Sequence, residues 1–154
     1  MSTPPPTTLD PARARAVTGT ARIVSGVLFS LGLLGVLNTG VDDLGADSAE
    51  QLFLFLVHPL TAVAWLVLGF VGIAMATRPD WARRYLIGAG SLLLLWALLA
   101  LLLGDDATQV LTRDTPVVVL HIVGGVMSLA AALAPLPEPV ARVLAPPSTT
   151  EGSS

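Results

Sequence analysis

Apolar residues in this chain follow one another instead of alternating with polar ones. Four stretches carry no charged residue: Ile23–Val41, Gln51–Thr77, Tyr85–Gly104 and Thr115–Pro137, of 19, 27, 20 and 23 residues. A helix rises about 1.5 Å per residue, so roughly 20 apolar residues match a hydrocarbon layer of about 30 Å. Lipid offers no partner for backbone N–H and C=O groups, which leaves helices or a closed barrel as the spanning structures. A barrel strand alternates apolar and polar positions over about ten residues. Runs such as Leu92–Leu95 and Val117–Leu120 are apolar at every position, so the pattern predicts helices. The expected fold is all-α, a four-helix transmembrane bundle with spans at about 22–40, 52–77, 85–104 and 115–135. Residues 18–136 form the membrane domain in this reading, between solvated tails 1–17 and 137–154 rich in Pro, Ser and Thr.

Composition sharpens the reading. Charged residues are 12% of the 154, against roughly 25% in an average soluble domain. No basic face is available for nucleic acid, and a chain without cysteine has no disulfide framework, thiolate metal site or thiol nucleophile. Arginine, the only strong cation, sets the orientation. Arg13, Arg15 and Arg22 precede the first span, Arg78, Arg83 and Arg84 lie between the second and third, and Arg142 follows the fourth. Only Arg113 falls on the other side, a bias that puts both termini in the cytoplasm of a multi-pass cell-membrane protein. Asp42, Asp43, Asp47 and Glu50 gather in the first outer loop. They read as a solvated acidic turn, since their spacing matches no defined cation loop.

Helices in lipid associate through small residues that let backbones come close. Gly69 and Gly72 in the second span, with Gly124, Gly125 and Ser128 in the fourth, are the expected packing positions. Trp81, Arg83, Arg84 and Tyr85 have the make-up of an interfacial anchor. A parallel two-hairpin repeat is suggested by Arg22 and Arg84, each followed by a histidine 36 or 37 residues on.

Those histidines, His58 and His121, are the only titratable side chains within the spans besides Tyr85. An intramembrane ionisable residue is a functional candidate by default. Besides a proton-relay or ion site, which histidine's ordinary pKa near physiological pH allows, two readings stay open. In one, His58 and His121 are neutral imidazoles with hydrogen-bonded partners in the fold. In the other they are axial ligands of a b-type haem, with Arg113 near a propionate, in a membrane electron carrier. Pro59 weighs against the second, because proline favours the first turn of a helix and would place His58 at the helix start. Ion or solute transport is disfavoured for want of acidic or basic side chains in the spans. No Walker loop, dinucleotide fingerprint or nucleophile elbow is present.

The first span with Gly26-Val27-Leu28-Phe29 through Gly35, Gly69-Phe70-Val71-Gly72, Ala82-Arg83-Arg84-Tyr85-Leu86-Ile87-Gly88, and Leu120-His121 with Gly125 together carry a family resemblance. From about Arg22 to Ala134 the chain resembles the uncharacterised, largely actinobacterial four-helix membrane family described as domain of unknown function 4383. The resemblance implies the architecture and no reaction. That family's paired-histidine pattern falls, on alignment at Gly69, at Thr61 and Trp65, so only His121 carries over. The expectation is a small, non-catalytic integral membrane protein with no cofactor. Its partners are the lipid bilayer and either other membrane subunits or further copies of itself, which it joins or stabilises as part of a membrane complex.

Overall fold

The computed structural model describes residues 10–40, 50–52, 55–103 and 114–133. Four helices make up the bundle: α1 (Pro11–Thr39), α2 (Pro59–Met75), α3 (Pro79–Leu103) and α4 (Thr115–Leu133). Between α1 and α2 lies a small antiparallel hairpin, β1 (Glu50–Leu52) and β2 (Phe55–Val57), with Glu50 opposite Val57 and Leu52 opposite Phe55. The outer residues Asp42, Asp43 and Asp47 and the segments 1–9 and 134–154 lie outside the described residues.

Three helices are long and apolar enough to cross a membrane; α2, at 17 residues, is a shorter apolar helix. Seventeen residues rise roughly 26 Å, at the low end of what a span needs. The second span therefore starts at Pro59, not near residue 52 as continuous hydrophobicity suggests. A helix begun at 52 would hold Pro59 in its interior, where the ring clashes with the preceding turn and a backbone bond is lost. Residue 58 is also biased away from helical geometry by the proline after it. Before it, β1 and β2 pair their backbones with each other instead of joining the helix.

The first span departs from expectation at its other end. Residues 11–17, read as part of a solvated tail, are helical. Pro11 opens α1 at a position where its missing N–H costs nothing, and Ala12, Arg13, Ala14, Arg15 and Ala16 are strong helix formers. Ala12, Val17 and Ala21 are buried, the last two in the core cluster that also holds Ala82 and Ala132. At the far end, α1 stops at Gly40, whose φ of 73° suits glycine and whose N–H closes on the Val36 carbonyl at 2.9 Å.

The helices pair as two antiparallel hairpins, α1 with α2 and α3 with α4. Glycine sets how near each pair comes. A Cβ at Gly32 would sit 2.6 Å from Leu66 Cα, and one at Gly69 2.6 Å from Phe29 Cα, so α1 and α2 touch backbone to backbone. In the other hairpin, a Cβ at Gly125 would stand 2.9 Å from the Gly90 carbonyl oxygen. Gly72 is filled by the Tyr85 ring and Ser25 Cβ, and Ser128 is buried beside Gly90. Gly124 is looser than expected, its would-be Cβ meeting only Leu93 Cδ1 at 3.4 Å.

The molecule is apolar outside and partly polar inside. Ser25, His58, Thr61, His121 and Ser128 are buried, while Ile23, Leu37, Phe70, Leu102 and Val126 are among many exposed large apolar residues. Such a surface is far from that of a soluble monomer and is what lipid solvates at no cost. Ser25 and Ser128 satisfy their hydroxyls on the Arg22 carbonyl (3.2 Å) and the Gly124 carbonyl (2.7 Å) of their own helices.

Candidate functional site

His58 and His121 sit at different places in their hairpins. His58 caps α2 from outside it, with φ −78° and ψ 141°, and its Nδ1 accepts a hydrogen bond from the Leu60 N–H at 3.2 Å. A side chain accepting from the second helical N–H, with proline at the first position, is an N-cap built from histidine. His121 lies inside α4, on its second turn. The Arg–His spacing therefore does not place the two histidines equivalently, and the two-hairpin arrangement is not mirrored at these side chains.

The partner of His121 is Trp65 on α2. The indole Nε1–H donates to His121 Nε2 at 2.9 Å, wholly within the bundle, with the rings tilted 55° and their centroids 5.6 Å apart. Trp96 of α3 stands on another side, its ring centroid 6.5 Å from the imidazole. Because Nε2 accepts, the imidazole is neutral and carries its proton on Nδ1. That N–H faces the Val117 carbonyl one turn back without closing a full hydrogen bond.

Trp65 carries no ionisable group, so the sequence does not mark it as a partner for His121. Its indole N–H, buried in an apolar span, needs an acceptor, and the side-chain acceptors of these spans are few. Trp65 also follows His58 by seven residues, two turns along one face, so the face was legible while the partner on α4 was not.

A cavity of about 40 Å³ adjoins the pair, lined by Thr61, Ala64 and Trp65 of α2, Leu92 and Trp96 of α3, and His121 among others. The histidines do not fit axial ligation as they stand. Nε2 of His121 is taken by Trp65 and Nδ1 of His58 by the helix cap, and the volume suits about one water-sized molecule, not a macrocycle. His58 is not among the residues that line this cavity.

At the opposite end the four expected anchors divide. Trp81 is exposed, with the Arg84 guanidinium 5.4 Å from its ring centroid, as an interfacial pair would be. Arg83 turns inward instead and donates from Nε to the Ala132 carbonyl at 3.0 Å. Arg13 reaches the Ala132 and Leu133 carbonyls from α1, each at 3.4 Å. The last carbonyls of a helix have no partner within it and carry the negative end of its dipole, so two arginines from two other helices close α4. Tyr85, read as an anchor, is buried against Gly72 and Ser25. Two residues past Arg83, it turns into the space that glycine leaves open on α2.

With the geometry in view, comparison with known proteins adds one finding. The family model described as a domain of unknown function (DUF4383) matches residues 19–134, a stretch that takes in Trp65, His121, the cavity and the Arg83 contact. No curated protein and no solved structure matches the chain.

Proposed function

Since the chain belongs to the family described as domain of unknown function 4383, and since one face of its first helix is left unpacked, we propose that it is a non-catalytic component of a membrane complex, docking through α1. Gly19 and Gly26 would each accept a Cβ with nothing within 4 Å, and Ser30 is exposed. The three recur at intervals of seven and four residues, on one side of the helix. Glycine in a helix costs about 1 kcal/mol relative to alanine, and at Gly32 and Gly69 close contact with a neighbouring helix accounts for it. Among the described residues, no neighbour accounts for it at Gly19 and Gly26. A helix from another subunit, or a second copy of this chain, would use the stripe as α2 uses Gly32.

The absence of catalysis in this reading is supported by what the buried polar side chains already do. His58 caps a helix, Ser25 and Ser128 bond to their own backbone, and His121 accepts from Trp65. The arginine distribution orients the protein with both termini cytoplasmic, in the cell membrane.

A photo-crosslinking side chain placed at Ser30 tests the docking face in native membranes. The expected result is a discrete adduct from Ser30 and none from Val67, an exposed α2 position. An adduct of twice the chain mass identifies a second copy, and any other discrete mass a different subunit. Equal, diffuse labelling from both positions would contradict the proposal.

A further inference from the structure

The two arginines that close α4 carry more charge than that helix end answers. Arg13 of α1 and Arg83 of α3 share the Ala132 carbonyl, so their donating nitrogens are separated by no more than those two bonds laid end to end. Like charges that close repel. A helix C-terminus supplies about half a negative charge, against two positive ones. Among the described residues neither arginine has a carboxylate partner; Asp10 and Asp80 stand at the starts of their own helices. The Arg13 Nε–H is enclosed and takes no part. A guanidinium has five N–H groups, however, and the Arg13 contact with Leu133 is exposed.

Toward the membrane centre from this cationic end, the same three helices leave a groove. About 140 Å³ opens between Val24 and Leu28 of α1, Leu93 of α3, and Val123, Gly124 and Met127 of α4. Val24, Leu28 and Leu93 are buried as its floor, while Val27, Val123 and Met127 are exposed along its rim. No polar side chain lines it, and an apolar cavity of about this size stays dry and takes hydrocarbon. Gly124 keeps it open. Its would-be Cβ meets only Leu93 Cδ1, at 3.4 Å, so among the described residues no helix backbone accounts for that glycine. The lengths agree as well. A lipid chain fills one leaflet, roughly half of a hydrocarbon layer of about 30 Å, and the rise from Leu133 to Val123 is about 15 Å.

The geometry points to a binding site for one anionic phospholipid of the leaflet at the arginine-bearing end, its phosphate on Arg13 and Arg83 and one acyl chain in the groove between α1 and α4. Basic pockets between helices at this membrane level hold such headgroups, and the guanidinium fork matches the oxygens of a phosphate. Arg13 and the groove share a side of α1, since Val24 follows Arg13 by close to three full turns. The exposed Arg22 follows it by two and a half turns and so points away. The site is independent of the α1 docking stripe, because Gly19, Gly26 and Ser30 do not line the groove.

Native mass spectrometry of the full-length protein released from micelles tests this, with phosphatidylglycerol and phosphatidylcholine of the same chains offered in equal amounts. One phosphatidylglycerol is expected to stay bound in preference. A cation at a membrane surface is worth about fivefold in binding an anionic lipid, so Arg13→Gln and Arg83→Gln should each cut that preference about fivefold. Arg22→Gln should leave it unchanged. Gly124→Leu, which fills the groove and keeps both arginines, should reduce the amount of lipid bound. Glycerol phosphate, the headgroup without chains, should not displace the lipid. The proposal would be overturned by any of four results: no preference in the unaltered protein, displacement by glycerol phosphate, equal losses in Arg13→Gln and Arg22→Gln, or undiminished binding in a folded Gly124→Leu protein. Should a variant not fold, the unaltered protein with the two lipids and glycerol phosphate still decides it.

Discussion

Gly69→Ala is expected to separate α1 from α2. The added methyl would stand 2.6 Å from Phe29 Cα and 2.8 Å from Phe29 Cβ, where no flexible side-chain end can yield. Relief has to come from moving a helix, and overpacking of this kind costs about 1–3 kcal/mol, occasionally more. Gly32→Ala meets Leu66 Cα at 2.6 Å and the Ala62 carbonyl at 2.8 Å, so it should fall in the same range. Gly26→Ala supplies the contrast. With nothing near the added atom, its helix propensity should stabilise by up to about 1 kcal/mol. Reversible unfolding in mixed detergent micelles, followed by tryptophan fluorescence, measures all three. If Gly69→Ala were as stable as the parent while Gly26→Ala was not, the helix pairing described above would be wrong.

The second large effect concerns Trp65 and His121. Trp65→Phe leaves His121 Nε2 buried with no donor, and His121→Phe leaves the indole N–H with no acceptor. Stranding a buried polar group costs about 1–3 kcal/mol, to which the loss of fit in each case adds. Replacing both removes the pair without stranding either, so the double variant should be less damaged than the sum of the two single ones. Hydrogen bonds between membrane helices average a coupling of about 0.6 kcal/mol and reach about 1.7. A short, fully buried bond of 2.9 Å belongs in the upper half of that range. Strict additivity would mean that the two side chains are neighbours without a bond.

These two predictions differ in how far the sequence reveals their basis. Small residues at Gly69, Gly72 and Gly125 announced helix packing, because in lipid little else brings helices together. Which helix each meets is a property of the bundle, and Gly32, as tightly packed as any, was only one of several glycines in its span. The ends of the helices were legible wherever charge or proline marks them: α4 begins at Thr115 and α3 ends within a residue of its charge-free run. Three ends were hidden by the rule that reads apolar length as span, one of them the start of α3, which lies at Pro79 and not at residue 85. Pro59 had a stronger claim than the seven apolar or neutral residues before it. The arginines of 11–22 masked a helix that continues beyond the apolar layer.

The candidate site divides in the same way. His121 stands out in sequence as an ionisable group in an apolar run, and its burial follows from that. His58 stands out equally, yet the proline after it makes it a cap. The Trp65 contact bridges 56 residues, and the Arg83 contact with the end of α4 bridges 49. Helix periodicity assigns faces and is silent on pairing over such separations. Arginine near a span reads as an anchor by default, and only the position of the Ala132 carbonyl makes Arg83 a cap on another helix.

The central claim is a four-span bundle whose arginine-bearing end faces the cytoplasm. Single cysteines in this cysteine-free chain, probed with a membrane-impermeant thiol reagent, test it most directly. Cysteine at Thr77, in the turn joining α2 and α3, should react only after the membrane is opened, and cysteine at Asp114, before α4, should react in intact cells. Labelling of Thr77→Cys from outside, or of both sites from the same side, would contradict the account.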